Sequence, residues 1–228
     1  MPAEAGVHAL HIDTHLLVVE KPAGLLAVPG RGADKQDCLS ARVQAAWPDA
    51  LVVHRLDMAT SGLVLFARSL DVQRRLGQAF ADRQVKKRYT AIVAGPLRPD
   101  PAGVDAEGWA TIDLPLAADW PRRPMQKVDT AAGKPSLTRW RVSQEDRGER
   151  QAKDPAGSTR LVLEPVTGRT HQLRVHLQAI GHPILGDMLY AGADIQAQAP
   201  RLLLHASALA LVHPATGEAL AFASPAPF

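Results

Sequence analysis

Two short, largely apolar stretches stand out along the chain as strands, Leu16-Leu17-Val18-Val19-Glu20-Lys21 and Gly62-Leu63-Val64-Leu65-Phe66-Ala67. Neither alternates with polar residues, which is the pattern of strands covered on both faces. Pro22 and Gly24 end the first, and a second short strand is expected around Leu25–Val28, before the turn-rich Pro29–Gly32. Ser40–Ala46 reads as a short helix stopping near Trp47-Pro48, after which Leu51-Val52-Val53 leads into His54-Arg55-Leu56-Asp57. Ser69 can cap a helix reaching about Arg83, with Val72, Leu76, Ala79 and Phe80 at helical spacing. Lys87–Gly95 alternates as a strand, with Tyr89, Ala91 and Val93 on one face and Thr90 and Ile92 on the other. A Pro/Gly-rich insert, PLRPDPAG, follows, and further strands are expected at Ser136–Val142, Thr159–Pro165, Leu202–Val212 and Ala219–Ala223.

One more helix is written into TGRTHQLRVHLQAIGHP. Leu173, Leu177 and Ile180 recur at helical spacing, Thr170 can cap, and Gly181 with Pro183 stops it. Arg174 then falls in the second turn, off the leucine stripe. Strands far outnumber helices, no βαβ alternation appears, and there is no repeat and no long linker. The expected architecture is one mixed α/β (α+β) domain.

Composition changes this picture little. The 228 residues suffice for one large domain or two small ones, and 46% hydrophobic residues can fill a core. The single cysteine, Cys38, rules out an internal disulfide and a cysteine-rich metal site, and suits a reducing compartment. No apolar run approaches the roughly 20 residues that span a bilayer. The start, MPAEAGVHALHID, lacks the basic and apolar regions of a signal peptide, so a cytoplasmic protein with no membrane partner is expected. No obvious oligomerisation stripe appears, and a monomer is expected. Twenty-six Lys and Arg against 23 Asp and Glu give +3, which suits a polyanion partner only where the charges cluster. They gather in RQVKKR (Arg83–Arg88) and PRRPMQK (Pro121–Lys127), whereas Glu145–Asp154 mixes signs like a solvated hairpin tip.

Several chemistries are excluded. His54-Arg55-Leu56-Asp57 transposes the kinase loop H-R-D-L, and no Gly-rich loop accompanies it. G-x-S-x-G is absent, so Ser61 is not expected to be a hydrolase nucleophile, and there is no Walker or Rossmann fingerprint. His171 and His176 stand five apart, roughly 140° around a helix, too far round to share one ion easily. HExxH is missing, and no metal site is expected. What remains is cofactor-free chemistry on a carboxylate, arginines and a tyrosine. The stretch HRLDMATSG looks like a strand entering a turn made by Thr60-Ser61-Gly62, with Arg55 and Asp57 sharing one strand face.

With those residues in hand, HRLDMATSGLVLFA resembles the signature of the RluA-type pseudouridine synthases. KKRYTAIV resembles that family's second motif and RLVLEPVTGRTHQLRVHLQAIGHPILGD its third. KPAGLLAVPGR, DLPLAADWPRRPMQKV and PRLLLHASALALVHPATG are similar to the branch acting on both 23S rRNA and tRNA, and the likeness runs from about Val18 to Phe228. The resemblance implies a single catalytic domain over 16–228 with a mixed, largely antiparallel sheet and a central RNA-binding cleft. Residues 1–15 would be a short extension in place of the additional RNA-binding domain that many members carry.

The implied reaction turns a uridine into its C-glycoside isomer without metal or cofactor. Asp57 would be the catalytic carboxylate, attacking the sugar, adding to the uracil or taking a sugar proton; the sequence leaves these three routes open. Arg174 would pair with Asp57 and orient it. Tyr89 would stack on the uracil and help remove the C5 proton. Arg55 would fill the gap left by the flipped base, which an enzyme acting inside a stacked helix must create. Arg122, Arg123, Lys127, Lys86, Lys87 and Arg169 are candidate phosphate contacts. The partners implied are a tRNA anticodon stem-loop and 23S rRNA. The alternatives are a family member with another rRNA target, or a non-catalytic RNA chaperone on the same fold.

Overall fold

The described chain opens on an antiparallel pair that the apolar pattern does not announce. Strand β1 (His8–Ile12) lies against β2 (Leu16–Lys21), and Asp13 shapes the link, its Oδ1 accepting the backbone N–H groups of His15 (2.6 Å) and Leu16 (2.8 Å). The computed structural model describes residues 6–143 and 154–228. After β2 come α1 (Leu39–Ala46), β3 (Leu51–Val52), β4 (Ser61–Ala67), α2 (Leu70–Ala81) and β5 (Lys86–Ala94). Then follow β6 (Ala110–Asp113), β7 (Leu116–Ala118), β8 (Gln126–Val128), β9 (Leu137–Val142) and β10 (Ser158–Pro165). The chain ends with α3 (Gln172–Ala179), α4 (Ala193–Gln196), β11 (Leu204–Val212) and β12 (Ala219–Ala223).

Two compact units result, one formed by residues up to Lys87 with His205–Pro227, the other by Arg88–Leu204 with Phe228. In the first, the strands run in the order β1-β2-β4-β11, with β12 paired to β11 and β3 to β4. Among the pairings described within this unit, β4–β11 is parallel and β1–β2, β2–β4, β3–β4 and β11–β12 are antiparallel. All seven residues of β4 are buried, as its unbroken apolar run predicts. Leu16, Val18, Leu63, Leu65, Val72, Leu76, Leu209 and Leu211 form one core cluster in which α2 covers the sheet. Ser69 caps α2 as expected, its hydroxyl accepting the N–H of Val72 (3.3 Å). In the second unit β5, β10, β9 and β6 form an antiparallel series, and β7 and β8 make a separate hairpin. The α+β class and the largely antiparallel pairing agree with the expectation.

Four details differ from it. Leu25–Val28 is not a strand, because its carbonyls serve a helix instead. Leu26 and Ala27 oxygens accept the N–H groups of Leu39 (2.8 Å) and Ser40 (3.1 Å) at the start of α1, leaving only an isolated bridge from Leu26 to Cys38. Part of the expected N-terminal extension is β1, whose Leu10 packs on the core cluster. Thr170 does not cap α3. His171 is the N-cap residue, in the left-handed region at φ 53°, and puts no side-chain cap on the helix. Arg174 is therefore the third residue of α3, in its first turn. The expected hairpin tip Glu145–Asp154 lies, except for Asp154, outside the described residues. The stop of α3 is as read: Gly181 at φ 84° donates to Gln178 O (3.0 Å) and His182 N to Leu177 O (2.9 Å), closing the helix end with a paired 5→2 and 6→1 bond.

Gly62 shows why one position admits no other residue. It sits at φ 116° opposite Ala206 of β11, and a Cβ built there would lie 2.4 Å from the Ala206 oxygen and 2.6 Å from its nitrogen. Gly62→Ala should therefore destabilise the protein by about 3 kcal/mol or more, from backbone strain plus steric conflict with backbone. Urea unfolding would check this; a loss under about 1 kcal/mol would mean that β11 yields freely at this point.

Candidate active site

In the first unit the site is built around the loop between β3 and β4. The turn is Asp57-Met58-Ala59-Thr60, closed by the Thr60 N–H donating to the Asp57 oxygen (3.1 Å). Two expectations are corrected here. Arg55 and Asp57 lie outside β3, which ends at Val52, and Ser61 belongs to β4 rather than to the turn, as does Gly62, which the sequence reads both as closing the turn and as opening the strand. Arg55 is exposed, Leu56 is buried and Asp57 is half-buried, so the chain rests on Leu56 between the two polar residues.

The loop is clamped from both sides. Ser61 Oγ meets Nδ1 of the buried His205 at 2.8 Å, which fixes the start of β4 against β11. From the other side comes Lys21, which is 0% exposed. Its ammonium donates to the carbonyls of Pro22 (2.8 Å), Leu25 (2.7 Å) and Met58 (2.9 Å). A buried ammonium is tolerated when its three donors are met, and here one of the acceptors belongs to the residue directly after Asp57. Sequence reasoning passed over Lys21 because a lysine ending a strand reads as a solvated edge.

His54 explains where β3 stops. Val52 is the last residue paired with β4, opposite Phe66, and beyond it Nε2 of the His54 ring accepts the N–H of Leu65 (3.0 Å). An accepting Nε2 places the proton on Nδ1 and keeps the ring neutral. The ring also packs on Phe80 of α2, with centroids 4.7 Å apart. Burial, reinforced by the charge of Lys87, pushes His54 from 6.5 down to about 4. The unfolded chain takes up a proton near pH 6.5 that the folded ring refuses until about pH 4, so this contribution to stability is complete above 6.5 and lost as pH falls toward 4. About 2 kcal/mol should disappear between pH 7 and pH 5. His54→Gln, which can accept the same N–H but does not titrate, should flatten that dependence in urea unfolding at the two pH values. An unchanged slope would place its source elsewhere.

In the second unit, α3 carries Arg174. The side chains beside Arg174 lock the helix to β9: Gln172 Nε2 donates to Leu137 O and to Thr138 Oγ1 (both 3.0 Å), and Thr138 Oγ1 lies 2.9 Å from His176 Nδ1. His176 Nε2 donates to Leu114 O (3.0 Å), so its Nδ1 accepts from the Thr138 hydroxyl; burial pulls its pKa below the usual value. Gln172 and His176, one helical turn apart, are thus anchors rather than ligands. Arg174 is 4% exposed and forms a bidentate pair with the buried Asp187, Nε to Oδ2 at 2.8 Å and Nη2 to Oδ1 at 2.6 Å. Asp187 Oδ1 also accepts the N–H groups of Leu189 (2.9 Å) and Tyr190 (3.2 Å). The Tyr190 ring lies 5.0 Å from the Arg174 guanidinium, and its hydroxyl meets His171 Nδ1 (2.7 Å) and accepts the Gln126 N–H (2.8 Å). Asp187 was not legible as a partner, since nothing in the spacing ties it to Arg174.

Tyr89 lies on β5, half-buried and in register with Leu163 of β10. At the start of that strand, in the first unit, Lys86 is exposed, whereas Lys87 is half-buried with its ammonium 6.0 Å from the Phe80 ring, and burial lowers its pKa. Arg169 is exposed before α3 and donates to Pro135 O (3.3 Å). The hairpin carries the remaining candidates. Arg122 is paired with Asp119 (2.6 Å) and Lys127 with Asp129 (3.3 Å), while Arg123 lies against the Trp120 ring. Between the hairpin and α3 is a cavity of about 430 Å³, with Arg122, Gln126 and Lys127 on one side and Val175 and Gln178 on the other. The structure thus groups Arg55, Asp57, Lys86 and Lys87 in the first unit, and Tyr89, Arg174, Arg169 and the three hairpin cations in the second.

A family model described as RNA pseudouridylate synthase matches residues 15–179. The chain is 47% identical over 227 residues to the dual-specificity RNA pseudouridine synthase RluA of Escherichia coli (strain K12), covering 100% of this chain and 96% of that protein. RluA of Yersinia pestis is 47% identical over 219 residues (96% and 98% covered), and RluA of Pasteurella multocida 43% over 227 (100% and 96%). Among solved structures, human RNA Pseudouridylate Synthase Domain Containing 1 is similar, with TM-score 0.76 and 26% identity over 100% of this chain and 87% of that one. Human RNA Pseudouridylate Synthase Domain Containing 4 gives 0.69 and 25% over 96% and 88%.

Proposed function

Because the chain belongs to the RNA pseudouridylate synthase family and forms pseudouridine in RNA, we propose that its targets are one uridine in a tRNA anticodon stem-loop and one in 23S rRNA, modified in the cytoplasm. The observation that carries this reading is identity of 43–47% across the full chain to dual-specificity synthases, hairpin and C-terminal strands included. No described helix is long and apolar enough to cross a membrane, and the enzyme is proposed to act as a monomer.

The reaction breaks the N1–C1′ bond, turns the uracil, bonds C5 to C1′, releases the C5 proton and leaves a proton on N1. No atom is gained or lost, so no redox partner is required. Positive charge develops at the sugar as the glycosidic bond breaks, and the Asp57 carboxylate would meet it. One carboxylate suffices because no water has to be activated. Arg55, exposed two residues before Asp57, would enter the stack vacated by the flipped base. Tyr89 offers a flat face for the uracil, and Arg174, held by Asp187 through two of its five N–H donors, has the chemistry to orient Asp57.

The test is to incubate the protein separately with an anticodon stem-loop and a 23S hairpin, digest each to nucleosides and quantify pseudouridine by chromatography. One pseudouridine per strand of each RNA is expected. Product in only one RNA would refute dual targeting, and product in neither would refute both proposed targets.

A further inference from the structure

The hairpin loop presents an aromatic face that nothing in the reaction uses. Trp120 is 68% exposed, whereas Trp109 and Trp140 are 2% and 5% exposed. A solvated indole is unusual unless something covers it, because its large apolar face is costly to hydrate. Trp120 is also held in place. It opens a 3-10 turn, Trp120–Arg122, and Asp119, 5% exposed, staples that turn by accepting the Arg122 guanidinium at 2.7 Å from Nε while its oxygen accepts the Arg122 N–H (3.0 Å). The Met125 N–H donates to Arg122 O (2.9 Å) and the Asp119 N–H to Met125 O (3.0 Å), closing the loop. The indole is therefore displayed by a rigid loop.

The cations around it differ in their state. Arg122 is neutralised by Asp119 and Lys127 by Asp129. Arg123 has no carboxylate partner among the described residues; its guanidinium carbon lies 3.5 Å from the Trp120 ring centroid, stacked on the indole. A stacked guanidinium beside an open indole matches one class of ligand, an unstacked nucleobase with its phosphate: the ring offers the base a π-face and Arg123 offers the phosphate a charge.

We propose that Trp120 and Arg123 form a second RNA subsite, a stacking platform that holds a splayed base of the substrate loop other than the target uridine. This rests on RNA being the substrate. The subsite contributes to capture of the loop rather than to the bond changes at Asp57, and it accepts any base that the loop can turn outward, since every base has a stacking face.

Steady-state tritium release from C5-labelled anticodon stem-loop and 23S hairpin would be measured for wild type, Trp120→Ala and Trp120→Phe. Acrylamide quenching of tryptophan emission would be recorded with and without each RNA. Trp120→Ala should raise KM about tenfold with kcat within twofold, and Trp120→Phe, keeping a flat ring, should recover most of that loss. RNA should shield wild-type emission from acrylamide, and the shielding should vanish in Trp120→Phe. A KM for Trp120→Ala within twofold of wild type on both RNAs overturns the proposal, as does loss of kcat alone. Should wild type release no tritium, the functional reading fails while the quenching still decides the subsite: shielding specific to Trp120 supports it, and its absence refutes it.

Discussion

Asp57→Asn is expected to lower pseudouridine formation by about 10⁴-fold or more while leaving RNA affinity within about threefold of wild type. Asparagine has the shape of aspartate, and the backbone acceptors that help fix this loop, Asp57 O for Thr60 N–H and Met58 O for Lys21, are untouched by the change. What is lost, on the proposed role of Asp57, is the negative charge that would meet the positive charge developing at the sugar. Single-turnover assays with excess enzyme separate this from a binding defect. Retention of more than about 1% of the wild-type rate would mean that another group carries the chemistry and that Asp57 is a turn residue.

The second large effect concerns Asp187. Asp187→Ala removes the bidentate partner of a guanidinium that is 4% exposed and strips an acceptor from the N–H groups of Leu189 and Tyr190. Breaking a buried pair from one side costs about 3–5 kcal/mol, a fall in Tm of about 10 °C for a chain of this size. Activity should fall further than the folded fraction if Arg174 has the proposed role, because it then loses the partner that orients it. The double replacement Arg174→Met with Asp187→Leu separates the two effects, since an apolar pair can substitute for a buried ion pair in stability. It should restore part of the Tm, the loss of the acceptor for the Leu189 and Tyr190 N–H groups remaining, and none of the activity. Restored activity would remove Arg174 from the site.

Elements with a strong period were legible in the sequence. The unbroken run of β4, the spacing of Val72 and Leu76 with the Ser69 cap, and the Gly181 stop of α3 all follow from local rules that packing reinforces. β1 and the β6–β8 strands were missed because they are short and half-buried, leaving too few residues for an alternation to register. The HRLD segment was misplaced on a strand because His54 replaces a backbone acceptor with a ring nitrogen, which no pattern of apolar positions encodes.

For the site, Arg55, Asp57, Tyr89 and Arg174 came from the family resemblance rather than from periodicity. The residues that hold the segments carrying these candidates, Lys21, Asp187, Gln172 and His176, stayed hidden for a common reason. Each is a polar side chain whose partner is a backbone carbonyl or a residue distant in sequence, and only the folded chain brings them together.

The most direct measurement is tritium release from RNA labelled at uridine C5, run on an anticodon stem-loop and a 23S hairpin with wild type and Asp57→Asn side by side. Release from both RNAs by wild type and from neither by the variant is expected. No release by wild type from either RNA, with both proteins binding them equally, would contradict the proposed targets and the role of Asp57 in their turnover.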